Sequence, residues 1–275
     1  MKIKNHKLES ENDNEVIIQA PTTNKGGLIK PKFIIIHFTA GSSAESSVEW
    51  FKNTAAKASA HIVIGRDGKV FQQIDFNTKA WHAGNSQWGE HNGFNDFSIG
   101  IELDNPGRLT SNKSGDKFLS WFKKEYNGEN VVEATHKHEK QYSHWLQFTE
   151  KQIQACFEIC RLLKTTYKID DILGHDDIAP YRKNDPGPLF PLESFRAKLL
   201  GREDDTADVF KITSENTNLR TGPGLEYQSI AQLKKDTKVE FIKNNNGWCY
   251  VYVLIEPQNN NEVQYGWVYN KLLKK

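Results

Sequence analysis

Phe33-Ile34-Ile35-Ile36-His37 decides the class of fold: a continuous apolar run closed by a histidine. Such a run is apolar on both faces and reads as a buried central strand. Working outward, a helix is expected around Ala44 to Asn53, with Ser46 and Glu49 at capping-box spacing near its start. Ala60–Gly65 and Lys69–Asp75 alternate in polarity around Arg66-Asp67-Gly68, a hairpin signal. Phe97, Ile99, Ile101 and Leu103 alternate with Ser98, Gly100 and Glu102, giving another strand. Thr149 and Gln152 open a second helix, whose apolar positions Ile153, Phe157, Cys160 and Leu163 keep helical spacing as far as Lys164. Ile172-Leu173-Gly174 is a short strand, and Leu192–Leu200 reads as a last helix. Strands and helices interleave, so the first 200 residues read as one α/β domain, preceded by a polar stretch of about 30 residues that is a tail or an edge strand.

Gly201-Arg202-Glu203-Asp204-Asp205-Thr206 is a charged link without an apolar position. Beyond it the helical period disappears. Short strand-like runs, among them Val209–Ile212, Lys238–Ile242, Trp248–Val253 and Gly266–Val268, alternate with turn clusters such as Gly222-Pro223-Gly224 and Asn244-Asn245-Asn246-Gly247. That pattern predicts a small all-β barrel. The chain of 275 residues is long enough for one large or two modest domains, and 37% hydrophobic with 11% aromatic residues is enough for packed cores. A net charge of +1 argues against a protein that holds nucleic acid by its phosphates. No apolar run approaches the roughly 20 residues that cross a bilayer. The start, Met1-Lys2-Ile3-Lys4-Asn5-His6, is followed by Glu9, Glu11 and Asp13 instead of an apolar run, so no secretory signal is legible. Cys156, Cys160 and Cys249 are an odd number, against a disulfide framework, and the first two read as small buried hydrophobes of one helix.

His37 and His175 each end a strand, where active groups of α/β folds gather. A single histidine after a strand is usually structural. Asp185 lies in Lys183-Asn184-Asp185-Pro186-Gly187-Pro188, a stretch pinned by prolines, in which Lys183 and Asp185 point the same way if extended. Two histidines and a carboxylate make a catalytic zinc site with an open fourth position. Spacing alone does not make the three meet. Glu102 stands on a strand face otherwise holding Ser98 and Gly100, which leave room above the sheet. It is either an exposed strand residue or a general base beside a metal-activated water.

Six ordered motifs carry a resemblance: Ile34–Ala40, Ser59–Gly68, Ala80–Gly84, Phe97–Leu103, Gly174–Pro180 and Lys183–Pro188. Over roughly residues 31–200 the chain resembles the zinc-dependent N-acetylmuramoyl-L-alanine amidases of the type-2 family, whose fold is shared with peptidoglycan recognition proteins. The resemblance implies a mixed central sheet flanked by helices, one Zn²⁺ held by His37, His175 and Asp185, Glu102 as catalytic base and Lys183 as the cation facing the oxyanion. Trp81 and His82 are expected to line the substrate groove, with His61 and Asn95 as further groove candidates. Asn218–Gly224, Asn246-Gly247-Trp248 and Gly266-Trp267-Val268 resemble a bacterial SH3 domain, which implies an SH3-like barrel over 208–275 that binds cell-wall peptide, behind a linker at 201–207.

The activity so implied is hydrolysis of the amide between N-acetylmuramic acid and L-alanine by a monomer that needs no nucleic acid and spans no membrane. Its rivals are a recognition protein that holds muropeptide without cutting it and a zinc peptidase cutting elsewhere in the stem peptide. The second domain favours intact wall as substrate, and cytoplasmic recycling of soluble fragments stays as the alternative. Residues 106–147 read as a long polar connection, and its His136-Lys137-His138 reads as part of a solvated loop sooner than as a second metal site.

Overall fold

A computed structural model describes residues 1–12, 15–112, 117–201, 209–254 and 265–275. The chain divides into two compact units, Met1–Phe190 and Pro191–Lys275. The charged link lies, apart from Gly201, outside the described residues.

At the centre of the first unit is a six-stranded mixed sheet, ordered Asp171–Gly174, Phe33–Phe38, Ser98–Leu103, Ile62–Ile64, Val70–Gln72 and Ile17–Gln19. Phe33–Phe38 runs parallel to both its neighbours, and only the hairpin Ile62–Ile64 with Val70–Gln72 is antiparallel. Ile34, Ile35 and Ile36 are fully buried, each worth about 1.5–3 kcal/mol of transfer free energy. The edge strand Ile17–Gln19 comes from the polar first 30 residues, which also form a hairpin of Lys2–Lys4 with Lys7–Glu9.

The helix Ala44–Lys52 sets Ala44, Val48 and Phe51 against Ala60, Val63 and Phe71. Its capping box is one turn earlier than expected: Ser43 is the N-cap and exchanges hydrogen bonds of 3.1 Å with Ser46. Four serines flank this helix start, and the cap falls to the one directly before the first helical residue. The helix Glu150–Thr166 is capped by Thr149 and Gln152 as expected, and Cys156 and Cys160 lie on its buried face. Gln152 is also fully buried, donating through Nε2 to the carbonyls of Ile64 and Asp104 at 3.3 and 2.9 Å.

Residues 106–147 correct the expectation of an open connection. They contain a five-stranded antiparallel sheet, ordered Glu125–Asn127, Lys117–Leu119, Arg108–Ser111, Tyr142–Leu146 and Val131–Thr135. Leu109, Phe118 and Leu146 form its small core. His136 at its far turn is 2% exposed, so the solvated-loop reading fails there.

The second unit contains the helix Leu192–Leu200 and one antiparallel sheet, ordered Ser229–Leu233, Thr217–Arg220, Tyr265–Tyr269, Trp248–Val253, Lys238–Asn245, Val209–Ile212 and Leu273–Lys274. Ile212, Leu219, Val239, Val251 and Val268 are its core. Pairing of the two edge strands, which closure into a barrel would need, is not found among the described residues. Nor is any described helix long and apolar enough to cross a membrane.

Candidate metal centre and active site

The parallel register brings the chemistry together. His37 sits near the carboxyl end of its strand and is paired with Glu102 on the next strand, so the two side chains leave the same face of the sheet. On the other side of His37, the strand Asp171–Gly174 runs directly into the short helix His175–Ile178, which places His175 at the same end. The chain then returns so that the backbone N–H of Asp176 donates to the carbonyl of Asp185 at 2.8 Å. The Asp185–Pro186 peptide is cis.

His37 Nδ1, His175 Nδ1 and Asp185 Oδ2 form a triangle with all three edges 2.9 Å, buried at every corner. The surrounding hydrogen bonds assign the tautomers. Ser98 donates to the carbonyl of Phe94 at 2.5 Å, so its oxygen accepts from His82 Nε2 at 3.2 Å. His82 Nδ1 then accepts from His37 Nε2 at 3.0 Å. His175 Nε2 donates to the carbonyl of Ala83 at 3.2 Å. Both rings thus spend their N–H groups elsewhere and turn lone pairs toward a carboxylate.

Burial, with the proximity of His175, drives the His37 pKa down to about 4, which keeps that ring neutral. Burial works to raise the Asp185 pKa, and what holds the carboxyl below its usual range is positive charge at the Nδ1 atoms of His175 and His37, the place a cation would take. Three converging lone pairs with one negative charge repel one another unless a cation sits among them. Neutral imidazole nitrogens with one carboxylate oxygen are a donor set that Zn²⁺ accepts, at about 2.0–2.2 Å and with a position left open.

Glu102 is 8% exposed, and its Oε2 has no hydrogen-bond partner among the described residues. Burial first, and the Asp185 charge second, push its pKa up to about 8, while Lys183 pulls the other way. Lys183, half-buried, therefore acts electrostatically on Glu102 and also on His37. The space that Ser98 and Gly100 leave above the sheet is filled by His82: a Cβ at position 100 would lie 2.5 Å from the His82 ring. Only glycine admits the ring there, which the sequence pattern alone did not reveal.

The four groove candidates fall in different places. His61 is fully buried, with Nε2 donating to the carbonyl of Thr78 at 2.9 Å and Nδ1 accepting from the N–H of Gly100 at 3.0 Å. Burial lowers its pKa to about 4. Asn95 Oδ1 accepts from the backbone N–H groups of His82 and Ala83 at 3.0 and 2.8 Å. His61 and Asn95 therefore brace the loop that carries Trp81 and His82, both half-buried. Two further groups support this centre in ways the sequence pattern did not reveal. Ser98 fixes the tautomer of His82, and Arg182 donates to the carbonyl of Ala83 at 2.9 Å.

A family model described as N-acetylmuramoyl-L-alanine amidase matches residues 28–188, and one described as bacterial SH3 domain matches residues 215–274. The chain is 33% identical over 149 residues to the 1,6-anhydro-N-acetylmuramyl-L-alanine amidase AmpD of Escherichia coli (strain K12), covering 54% of this chain and 61% of that protein. It is 30% identical over 187 residues to the N-acetylmuramoyl-L-alanine amidase AmiD of the same organism, covering 65% and 56% respectively. The matches thus span less than two thirds of the length of these relatives. Among solved structures, AmiD from E. coli in complex with the substrate anhydro-N-acetylmuramic acid-L-Ala-D-gamma-Glu-L-Lys aligns at 28% identity with a TM-score of 0.46, over 63% of this chain and 59% of that one.

Proposed function

Because the chain belongs to the N-acetylmuramoyl-L-alanine amidase family, we propose that it hydrolyses the amide joining N-acetylmuramic acid to the L-alanine of the stem peptide, with one zinc per chain. The observation that carries this reading is the buried triangle of His37, His175 and Asp185 with Glu102 in register beside it. Zinc bound there would polarise the amide carbonyl and lower the pKa of a coordinated water from about 15.7 to about 7.

The chain's own residues then account for the proton. Glu102, buried and in register beside the triangle, takes a proton from the attacking water and returns it to the leaving nitrogen. The C–N bond breaks, the muramyl lactyl group leaves as a carboxylate and the stem peptide leaves as a free amine. Lys183 supplies positive charge to the carbonyl oxygen as it becomes an oxyanion. Trp81 and His82 line the groove for muropeptide, while His61 and Asn95 hold that wall in place from behind.

The tail is read as an SH3-like barrel over 208–275 that binds cell-wall peptide, joined by the link at 201–207 to an amidase domain over 31–200. On this reading intact wall is the substrate and the enzyme acts as a monomer. The test is digestion of purified sacculi with and without a chelator, followed by mass analysis. Stem peptides with a free L-alanine amine and intact glycan, lost with chelator, support the reading. Cuts within the stem peptide support a peptidase, and binding without products supports a recognition protein.

A further inference from the structure

The tripeptide His136-Lys137-His138 reaches the metal centre from the five-stranded sheet, and all three side chains close on one residue, Asp176. Asp176 follows His175 in the chain, and its backbone N–H donates to the carbonyl of Asp185 at 2.8 Å. It therefore bridges the two segments that bring the second and third corners of the triangle. Of its other polar atoms, Oδ2 and the backbone carbonyl accept hydrogen bonds from the tripeptide, while buried Oδ1 has the Lys137 ammonium beside it, whose hydrogen bond goes to Asp177 Oδ1, and no hydrogen bond of its own. His136 Nε2 donates to Oδ2 at 2.9 Å, Lys137 Nζ lies 2.7 Å from Oδ1, and His138 Nε2 donates to the backbone carbonyl at 2.9 Å. The backbone N–H of His138 donates to His136 Nδ1 at 3.3 Å, which fixes His136 as the Nε2–H tautomer. His136 and Asp176 are 2% and 3% exposed, so the pair is worth more than the same contact in water and costly to break on one side.

The same sheet touches the other ligand-bearing loops. Trp121 Nε1 donates to the carbonyl of Ala40, three residues after His37, at 2.7 Å. The ring of Trp145 packs over Gly187, two residues after Asp185: a Cβ at that residue, whose φ is +78°, would lie 3.2 Å from the ring.

We infer that His136, with Lys137 and His138, is a positioning element that holds His175 and Asp185 at metal-binding separation through Asp176, and that the five-stranded sheet serves the metal centre as an outer support. This rests on the zinc reading of the triangle. None of the three residues is a corner of the triangle. Partners behind metal ligands commonly set metal affinity, and removing one typically costs about 10–100-fold.

The full chain should be titrated with zinc against a chromophoric chelator. His136→Ala is expected to weaken zinc binding by about 10–100-fold, His136→Gln to recover much of that loss by donating an N–H to Asp176, and exposed His138→Ala to give a smaller loss in the same direction. Val48→Ala, in the helix Ala44–Lys52, is the control for general destabilisation and should leave affinity near wild type. His136→Ala folded by circular dichroism yet binding zinc like wild type would overturn the inference. So would Val48→Ala weakening zinc as much at the same loss of thermal stability. Should His136→Ala fail to fold, unchanged affinity in His138→Ala overturns it. A wild-type chain that takes up no zinc would instead overturn the metal reading beneath it.

Discussion

The two sheets of the first unit are built on opposite plans. The six-stranded sheet buries strands such as Phe33–Phe38 and Ser98–Leu103 along nearly their whole length and carries His37 and Glu102 on them. The five-stranded sheet of residues 108–146 has strands of three to five residues, charged on the outside, around a core of Leu109, Phe118 and Leu146. It supplies no corner of the triangle, yet it meets the loops that follow His37 and Asp185 as well as Asp176. On the proposed reading the first plan places the reacting groups, and the second supports the loops beside them. In that division, the sheet that is weaker in its own core acts through polar contacts at its rim.

If the division holds, substitutions on the first sheet act on chemistry. Glu102→Gln keeps the shape of the side chain but cannot accept a proton, so it should retain zinc and lose about 10²–10⁴ in rate on a soluble muropeptide. Turnover near wild type, measured by product release, would break the comparison at its strongest point. Lys183→Met should fold and bind zinc but lose about 10²–10³ in kcat, the cost of one oxyanion donor. A change in KM alone would move Lys183 from the reaction to substrate binding.

Stability sharpens the same contrast. Ile35→Ala, at a fully buried position of the central sheet, should cost about 2–5 kcal/mol in denaturant melts. Leu109→Ala, in the three-residue core of the outer sheet, should fall at the low end of that range. Equal costs would mean that the outer sheet is as much a part of the folding core as the inner one.

A further effect concerns pH. Because Glu102 binds its proton more tightly in the fold, its pKa rising from 4.5 to about 8, the metal-free protein loses stability as pH climbs through that window. Below pH 4.5 the group is protonated in both states and contributes nothing. Glu102→Gln in chelator should therefore gain on wild type progressively from pH 4.5 to 8, and parallel stability curves would refute the buried, partnerless placement of this carboxyl.

What the sequence displays and what it hides follow the same line. The apolar run at Phe33–Ile36 and the alternation at Phe97–Leu103 announce their strands, because burial on a face leaves a periodic trace. His37, His175 and Asp185 are visible as residues at strand ends and in a proline-pinned turn, but their meeting depends on a parallel register that no local pattern encodes. The outer sheet escapes because its strands are short and many of its residues polar, and His136 escapes because it is buried by a residue 40 positions away. The capping box fell to Ser43 and Ser46 instead of Ser46 and Glu49 for a local reason, a surplus of serines at the helix start. His61 drew attention as a groove residue because its motif matched, while both of its ring nitrogens hold backbone.

The central claim is that the triangle of His37, His175 and Asp185 is a metal centre, and elemental analysis tests it most directly. The full chain, purified without added metal, should carry one zinc, and Asp185→Ala should carry little or none while keeping its far-UV circular dichroism. A wild-type chain free of zinc, or an Asp185→Ala protein that retains it in full, would contradict the account.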